Sequence, residues 1–324
     1  MSSTKLRTLN LGDFHSGSNV SLMHPKAFNS EGGRAVSMNR WQEVLWEQWK
    51  EVAKKHYQPD VCIINGDACE LMVPRNRMTE TWTSSPIDQV INVVRLIEMI
   101  QPKKVYIQRG TPYHVTEGGL HVEEMLGLIL DKGYKFKEDD FRDDIEEQSK
   151  KEKQVLKQVK RLYGKIEPVA DVVNYRNRYS YEYRIIDLAP KAAETRALYH
   201  FTHHIGSSST WAYYGTGPSK AMATLMLNES HFIDRKVWGR ITGLVRSHVH
   251  HYWYEESANR RMLVVPAWQL QTPFMFKVMP ESVPDIGAVE FIHHSDGHFE
   301  QIKTLMDAKD NRPPIFVGHK GMIT

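Results

Sequence analysis

The sequence predicts an α/β fold of two stacked β-sheets with helices packed outside them, and three observations carry that expectation. Hydrophobic strands alternate with amphipathic helices three times within the first 133 residues, the second half is richer in strands, and five short polar clusters sit where apolar strands end. The clusters are Asp13-Phe14-His15, Asn65-Gly66-Asp67, Gly110-Thr111-Pro112-Tyr113-His114, His203-His204 and His248-Val249-His250.

Leu6 to Leu11 reads as the first strand, closed by Gly12-Asp13 and followed by a loop rich in Gly, Ser and Asn to about Val36. Ser37 is the expected cap of a helix over Met38 to His56, where Trp41, Leu45, Trp49 and Val52 recur at helical spacing. Pro59-Asp60 stops that helix and opens the apolar run Val61 to Ile64. Ser84-Ser85-Pro86 puts a proline in the first turn of a helix over Ile87 to Ile100. Val105 to Gln108 is the third strand, and Leu120 to Asp131 a helix closed by Gly133. From about 135 to 178 a charged helical insertion is expected, acidic from Asp139 to Glu147, then basic, with Val155, Leu156, Val159 and Leu162 as its apolar stripe. Strands over Tyr181 to Ile186, Arg196 to Thr202, Ile241 to Val245, Arg261 to Val265 and Ala288 to His293, with a helix over Ser219 to Ile233, then build the second sheet.

Composition narrows the class. Among 324 residues, 41% are hydrophobic and 25% charged, which excludes disordered and fibrous chains. A formal net charge of +3 is too small to indicate a nucleic-acid partner by itself. No run of about 18 apolar residues occurs, so no membrane span is expected. Only Cys62 and Cys69 are present, and the segment from Met1 to Arg7 lacks the apolar stretch of a secretory signal. Together these predict a cytoplasmic, reducing location without a disulfide framework.

Carboxylates and imidazoles at strand ends can hold two adjacent divalent cations, because each ligand has a rigid base and only its tip in the cleft. Asp13 and His15 bracket Phe14, and the period-two geometry of an extended backbone is expected to turn both side chains to one side. A carboxylate shared by two ions about 3.5 to 4 Å apart lets a water between them lose a proton near neutral pH, and the resulting hydroxide attacks phosphorus in line. No G-x-S-x-G or P-loop motif supplies a rival nucleophile.

In order and residue type the clusters resemble the calcineurin-like metallophosphoesterase pattern of D-x-H, G-D, G-N-H, a lone His and G-H-x-H, over Asp13 to His250. The resemblance implies one domain over residues 1–324, a four-layer α/β/β/α sandwich of two mixed sheets between helices, with its site at the strand ends. It further implies that Asp13, His15 and His250 bind one metal, that Asp67 bridges both, and that His248 with either His203 or His204 binds the other, His203 being the better candidate. The implied activity is di-metal hydrolysis of a phosphate ester, with Mn²⁺ ahead of Fe or Zn²⁺, and the arginines and aromatics of the loops after Asp67 and after the histidine pair lean toward a phosphodiester, in a nucleic acid such as DNA or in a nucleotide. A phosphomonoesterase and a catalytically inactive protein-binding scaffold are the alternatives.

Two departures stand out. Where the family has Gly-Asn-His, this chain has Gly110-Thr111-Pro112-Tyr113-His114, so Thr111 stands where an amide ligand is expected and His114 is displaced by two positions. Thr111 either offers a weaker hydroxyl ligand to the metal or leaves the position to water, and His114 is the general acid for the leaving oxygen, a ligand filling the vacated position, or a structural residue. Ser247 replaces the glycine before His248, which fits only if that position does not need positive φ, and its hydroxyl could orient a ligand. The Gly-Thr-x-x-His variant also resembles bacteriophage-encoded members related to DNA-repair nucleases, whose place of action would be the host cytoplasm. Arg75 and Arg77, in the loop after Asp67, are candidates for holding a phosphate, and Trp211, in the loop after the histidine pair, is a candidate for stacking a base. His251, His24, His121, His231, His293 and His294 are expected to be rim, surface or satisfied core.

Overall fold

The computed structural model describes residues 4–71, 80–117, 120–132, 161, 169–172, 183–206, 208, 210–257, 259–279 and 282–306. The expected insertion at about 135–178 lies outside the described residues except for residue 161 and residues 169–172, as do Arg75, Arg77 and Gly133.

Eleven strands form the two large sheets among the described residues. In chain order they are β1 (Lys5–Leu11), β2 (Val61–Asn65), β3 (Lys104–Gln108), β4 (Asp171–Val172), β5 (Arg184–Asp187), β6 (Leu198–Phe201), β7 (Ile241–Arg246), β8 (Trp253–Ser257), β9 (Arg260–Val264), β10 (Ile286–His294) and β11 (Phe299–Met306). The first sheet has the order β11-β10-β1-β2-β3-β4 and the second β8-β9-β7-β6-β5. Both are mixed: β1, β2, β3 and β4 run parallel while β10 and β11 are antiparallel, and β6, β7 and β9 run parallel between antiparallel β5 and β8.

Four long helices flank the sheets: α1 (Arg40–Lys55), α2 (Pro86–Ile100), α3 (Val122–Lys132) and α4 (Thr216–Phe232). Strand alternation explains the layering. Cys62 and Ile64 of β2 pack with α1, α2 and α3, whereas Val61 and Ile63 face Tyr199, Phe201, Val245 and Leu263 of the second sheet. The far side of that sheet, through Leu244, Met262 and Val264, packs on Met222 and Leu225 of α4. The result is an α/β/β/α sandwich, and a β2 buried on both faces reads as an unbroken apolar run.

Three expectations need correcting. The strand over Ala288 to His293, expected in the second sheet, is β10 of the first, where it pairs antiparallel with β1. Asn39, not Ser37, caps α1: its side chain accepts from the Trp41 and Gln42 amides, and Gln42 reaches back to the Asn39 amide at 3.1 Å, a capping box. The strands β8 and β11 carry no apolar run and were not expected. Each is the edge of its sheet, where half-exposed side chains such as Glu255, Glu256, Glu300 and Lys303 dilute the hydrophobic signal. Both cysteines are free and buried, and no helix among the described residues is long and apolar enough to cross a membrane.

Candidate metal centre

The parallel strands β1, β2 and β3 end side by side, and the segments that follow them meet those after β6 and β7. Past Leu11 the chain stays hydrogen-bonded to the residues after β2: the Asp13 amide donates to the Gly66 carbonyl, His15 to Asp67 and Ser16 to Ala68, at 2.9 to 3.1 Å. It does so bent, not extended. Asp13, His15, Asp67, His248 and His250 all have positive φ, between 43° and 78°. The expected strand-like alternation of Asp13 and His15 is therefore replaced by left-handed turns. Each such residue costs roughly 1 kcal/mol or more, a strain that persists where surrounding structure holds it. Two glycines make room for the convergence: a Cβ on Gly66 would strike the His203 ring, and one on Gly110 would strike Asp67.

Side-chain geometry brings the first, second, fourth and fifth clusters into one site. Asp67 Oδ2 lies 2.9 Å from His203 Nε2 and 3.8 Å from His15 Nε2, so one carboxylate oxygen stands between imidazoles from different segments. His15 Nε2 is 3.2 Å from His250 Nε2, and His250 Nε2 is 3.4 Å from Asp13 Oδ1. The ligand atoms of Asp13, His15 and His250 lie within 4.8 Å of one another, as do those of His203, His204 and His248, and those of Asp13, Asp67 and His203. His203 is fully buried and His204 exposed. Asp13 also accepts the His248 amide at 3.1 and 3.2 Å.

The tautomers show why this cluster suits a cation. His203 Nδ1 donates to the Asn65 carbonyl at 2.7 Å and His15 Nδ1 donates to the Glu70 carboxylate at 2.6 Å, because those oxygens only accept. In each neutral ring Nε2 then carries a lone pair, and both lone pairs aim at other acceptors. Only a cation between them relieves that, and an imidazole anchored through Nδ1 is the usual form of a metal-ligating histidine. Without metal, protons serve. Burial alone would lower both imidazoles, but Glu70 and the aspartates outweigh it and hold His15 up at about 9, while Asp67 and Asp13 hold His203 up at about 10. Burial would likewise raise Asp67, yet His203 and its hydrogen bond bring that carboxyl well below the usual range. Burial, with the His203 charge, pushes His248 down to about 4, so its ring is neutral near pH 7 and offers one nitrogen lone pair to a cation.

The departing third cluster is also resolved in space. The Thr111 amide and hydroxyl donate to the two Asp67 oxygens at 2.5 and 3.0 Å, and its Oγ1 is 3.4 Å from His248 Nδ1. Thr111 thus stands between the shared carboxylate and the second group. His114 lies in the single helical turn Pro112–Val115, its Nδ1 donating to the Glu70 carbonyl at 3.2 Å and its ring edge-on to His15. Burial and the neighbouring His15 charge lower its imidazole. Ser247 does not have positive φ; its Oγ accepts from Asn65 Nδ2 at 2.8 Å and its amide donates to the His203 carbonyl, tying the second and fifth clusters together. His251 turns away and stacks on Tyr214. The backbone of Trp211 lies in a short 3₁₀ turn, Trp211–Tyr213, and its side chain is outside the described residues.

Two buried acids were not singled out in the sequence. Glu70 joins His15 to His114 and accepts from Gln269 Nε2 at 3.2 Å. Its only sequence signal was its place three residues after Asp67. Glu123, on α3, accepts the Gly110 and Ala68 amides at 3.0 and 3.4 Å, and burial pushes it up to about 8. Nothing local marks it, since an acid in a first helical turn is ordinary.

No protein-family model matches the chain, and no curated protein matches it in sequence. Among solved structures, it is similar to GAP50 of Plasmodium, the anchor in the inner membrane complex, at 8% identity over 96% of this chain and 87% of that one, with a TM-score of 0.44. It is similar to zinc-complexed Vps29 of Entamoeba histolytica at 10% identity over 93% and 99%, with a TM-score of 0.37. A third similar structure is an archaeal phosphodiesterase, at 8% identity over 92% and 100%, with a TM-score of 0.32. At these identities and scores the likenesses carry no argument about activity, and the site rests on its own geometry.

Proposed function

We propose that the chain is a two-metal phosphoesterase that hydrolyses a phosphodiester, in a nucleotide or a nucleic acid. The observation that carries this reading is the single Asp67 oxygen placed between His15 and His203, each with its Nε2 lone pair turned inward. Asp13, His15 and His250 would hold one divalent ion, His203 and His248 with Thr111 or His204 the other, and Asp67 would touch both. Mn²⁺, Fe or Zn²⁺ all suit this donor set. When bound, such ions acidify water and take up charge on phosphoryl oxygens.

The rest of the chemistry belongs to the chain. Glu70 orients the His15 ring and, through its carbonyl, holds the Nδ1 proton of His114, which leaves Nε2 as the nitrogen that exchanges a proton with the substrate. With Nδ1 held on that carbonyl, His114 takes up a second proton at Nε2, and the resulting imidazolium, made more acidic by burial and by the charge of His15, hands that Nε2 proton to the leaving oxygen and returns to the neutral ring. Tyr113, more than half exposed and tilted against His114 at 4.4 Å, offers an aromatic face on that side, which favours a leaving group that carries a base. Arg75, Arg77 and Trp211 remain candidates for holding the phosphate and base.

The test is metal analysis together with hydrolysis of bis(p-nitrophenyl) phosphate by the Mn²⁺-loaded protein. Tight or restorable binding of about two ions per chain, with turnover of the diester above that of the monoester, is expected. Less than one ion and no turnover would leave a scaffold as the better reading.

A further inference from the structure

A second group of metal-ligating side chains lies far from the cleft, on the hairpin joining β10 to β11. His294 closes β10, and Ser295, Asp296 and Gly297 make the turn. His298 and Glu300 follow on the other side. Two backbone bonds tie the turn, from the His294 amide to the His298 carbonyl at 2.9 Å and from Gly297 back to His294 at 3.1 Å. His294 and His298 are therefore direct partners across the hairpin, and Glu300, two residues beyond His298, is on the same face. Two ligands at i and i+2 on one strand with a third opposite on its neighbour is a geometry that turns three side-chain tips toward one point.

We propose that His294, His298 and Glu300 form a third metal site, taking Zn²⁺ with water as the remaining ligand. Their donor atoms lie within 4.8 Å of one another. His294 Nε2 is 2.6 Å and His298 Nε2 is 3.9 Å from the same Glu300 oxygen, and the two rings are 5.2 Å apart. In a tetrahedral site with bonds near 2.0 Å, neighbouring donor atoms stand about 3.3 Å apart. One contact must open and the other close by roughly 0.6 Å each, which half-exposed side chains on a fixed hairpin do by small rotations. Two imidazoles and one carboxylate with an open fourth position is an established zinc donor set. Lys5, across β10 from His294, is exposed, so water screens its charge.

The pairing of Lys5 with His294 also fixes the location. The proposed centre lies at the start of β1 and the cleft lies past its end, so about 20 Å of strand separates them. Zinc here would clamp the hairpin end of β11, the edge strand of the first sheet. The inference does not depend on the chain being a hydrolase.

Equilibrium dialysis against Zn²⁺ tests it on the full chain. His298→Ala and Glu300→Gln should each bind about one zinc fewer than the unaltered protein, with melting temperatures in EDTA and Mn²⁺-supported diester turnover unchanged. In the unaltered protein, Zn²⁺ should shift the imidazole NMR signals of His294 and His298, and EDTA should reverse the shift. Equal zinc stoichiometry in all three proteins, or titration that leaves those two imidazoles unmoved, overturns the proposal. Loss of turnover in all three would count against the phosphoesterase reading and leave this one standing.

Discussion

His200 and His203 lie three residues apart at the end of one buried strand segment, and the protein drives them in opposite directions. His200 shares its register with Leu244 and faces the outer side of the second sheet, stacked on Tyr183 at 5.3 Å and edge-on to Phe232. Burial, helped by the Arg246 charge, pushes its imidazole down to about 3. His203 faces the cleft, where two carboxylates raise it to about 10. The same contrast extends to the acids. Under α4, Glu229 accepts from Arg260 at 3.0 and 3.2 Å, from the Ile241 amide and, at 3.3 Å, from Arg235. Charge in that region is answered within the fold, whereas around Asp67 acceptors face acceptors. Burial alone does not mark a chemical site; a buried cluster whose acceptors face one another does.

Substituting one acid from each region makes the largest test of this contrast. Asp67→Asn should lower diester turnover by about a thousandfold or more, and Mn²⁺ should no longer raise the melting temperature as it does in the unaltered protein. Glu229→Ala should do the reverse, losing about 3 to 5 kcal/mol in urea unfolding because Arg260 is left buried and unpaired, with unchanged turnover per folded molecule. If Glu229→Ala abolished turnover without loss of stability, the division between a structural and a chemical cluster would fail.

Within the cleft, two smaller effects separate the acid from the support. His114→Ala should slow hydrolysis of a diester with an alkoxide leaving group by about a hundredfold, and slow release of p-nitrophenolate much less, since that anion needs no proton. An equal loss on both substrates together with loss of one bound metal would make His114 a ligand instead. Glu70→Gln keeps the shape but weakens the anchor on His15, so the Mn²⁺ concentration for half activation should rise by about tenfold to a hundredfold, with kcat at saturation changed less.

Much of this was legible in the sequence. The order of Asp13, His15, Asp67, His203, His248 and His250 along strand ends was enough to place them together, because a parallel sheet brings consecutive strand ends to one edge. What was illegible has physical causes. The left-handed turns at Asp13, His15 and Asp67 go with backbone bonds between clusters far apart in sequence, from Asp13 to Gly66 and from His15 to Asp67. Glu70 and Glu123 act through long-range contacts that no local spacing announces. The edge strands β8 and β11 lack an apolar face to read, and His294 read as an ordinary surface or core histidine until the turn paired it with His298.

The smallest effect sharpens the comparison at its origin. The His200 imidazole has its folded value near 3, below its ordinary value of 6.5. The native state therefore keeps it neutral while the unfolded chain takes up a proton as the pH falls through 6.5. Between those limits the unfolded state binds more protons, so stability is fully present above 6.5 and is lost as the pH drops, by at most about 1.4 kcal/mol per pH unit. In the metal-free protein His203 acts with opposite sign: its contribution is complete below 6.5 and disappears only as the pH rises through about 10. Urea unfolding in EDTA between about pH 6 and pH 5 reads the His200 loss where the His203 contribution is nearly constant, and the difference between His200→Phe and the unaltered protein separates His200 from His24, His248 and His293, which burial also pushes down to about 4. His200→Phe, which keeps an aromatic ring against Tyr183 and Phe232, should flatten the acid side of the curve. An unchanged slope in that variant would mean that His200 is not held neutral and that the outer face is not the sealed region its contacts imply.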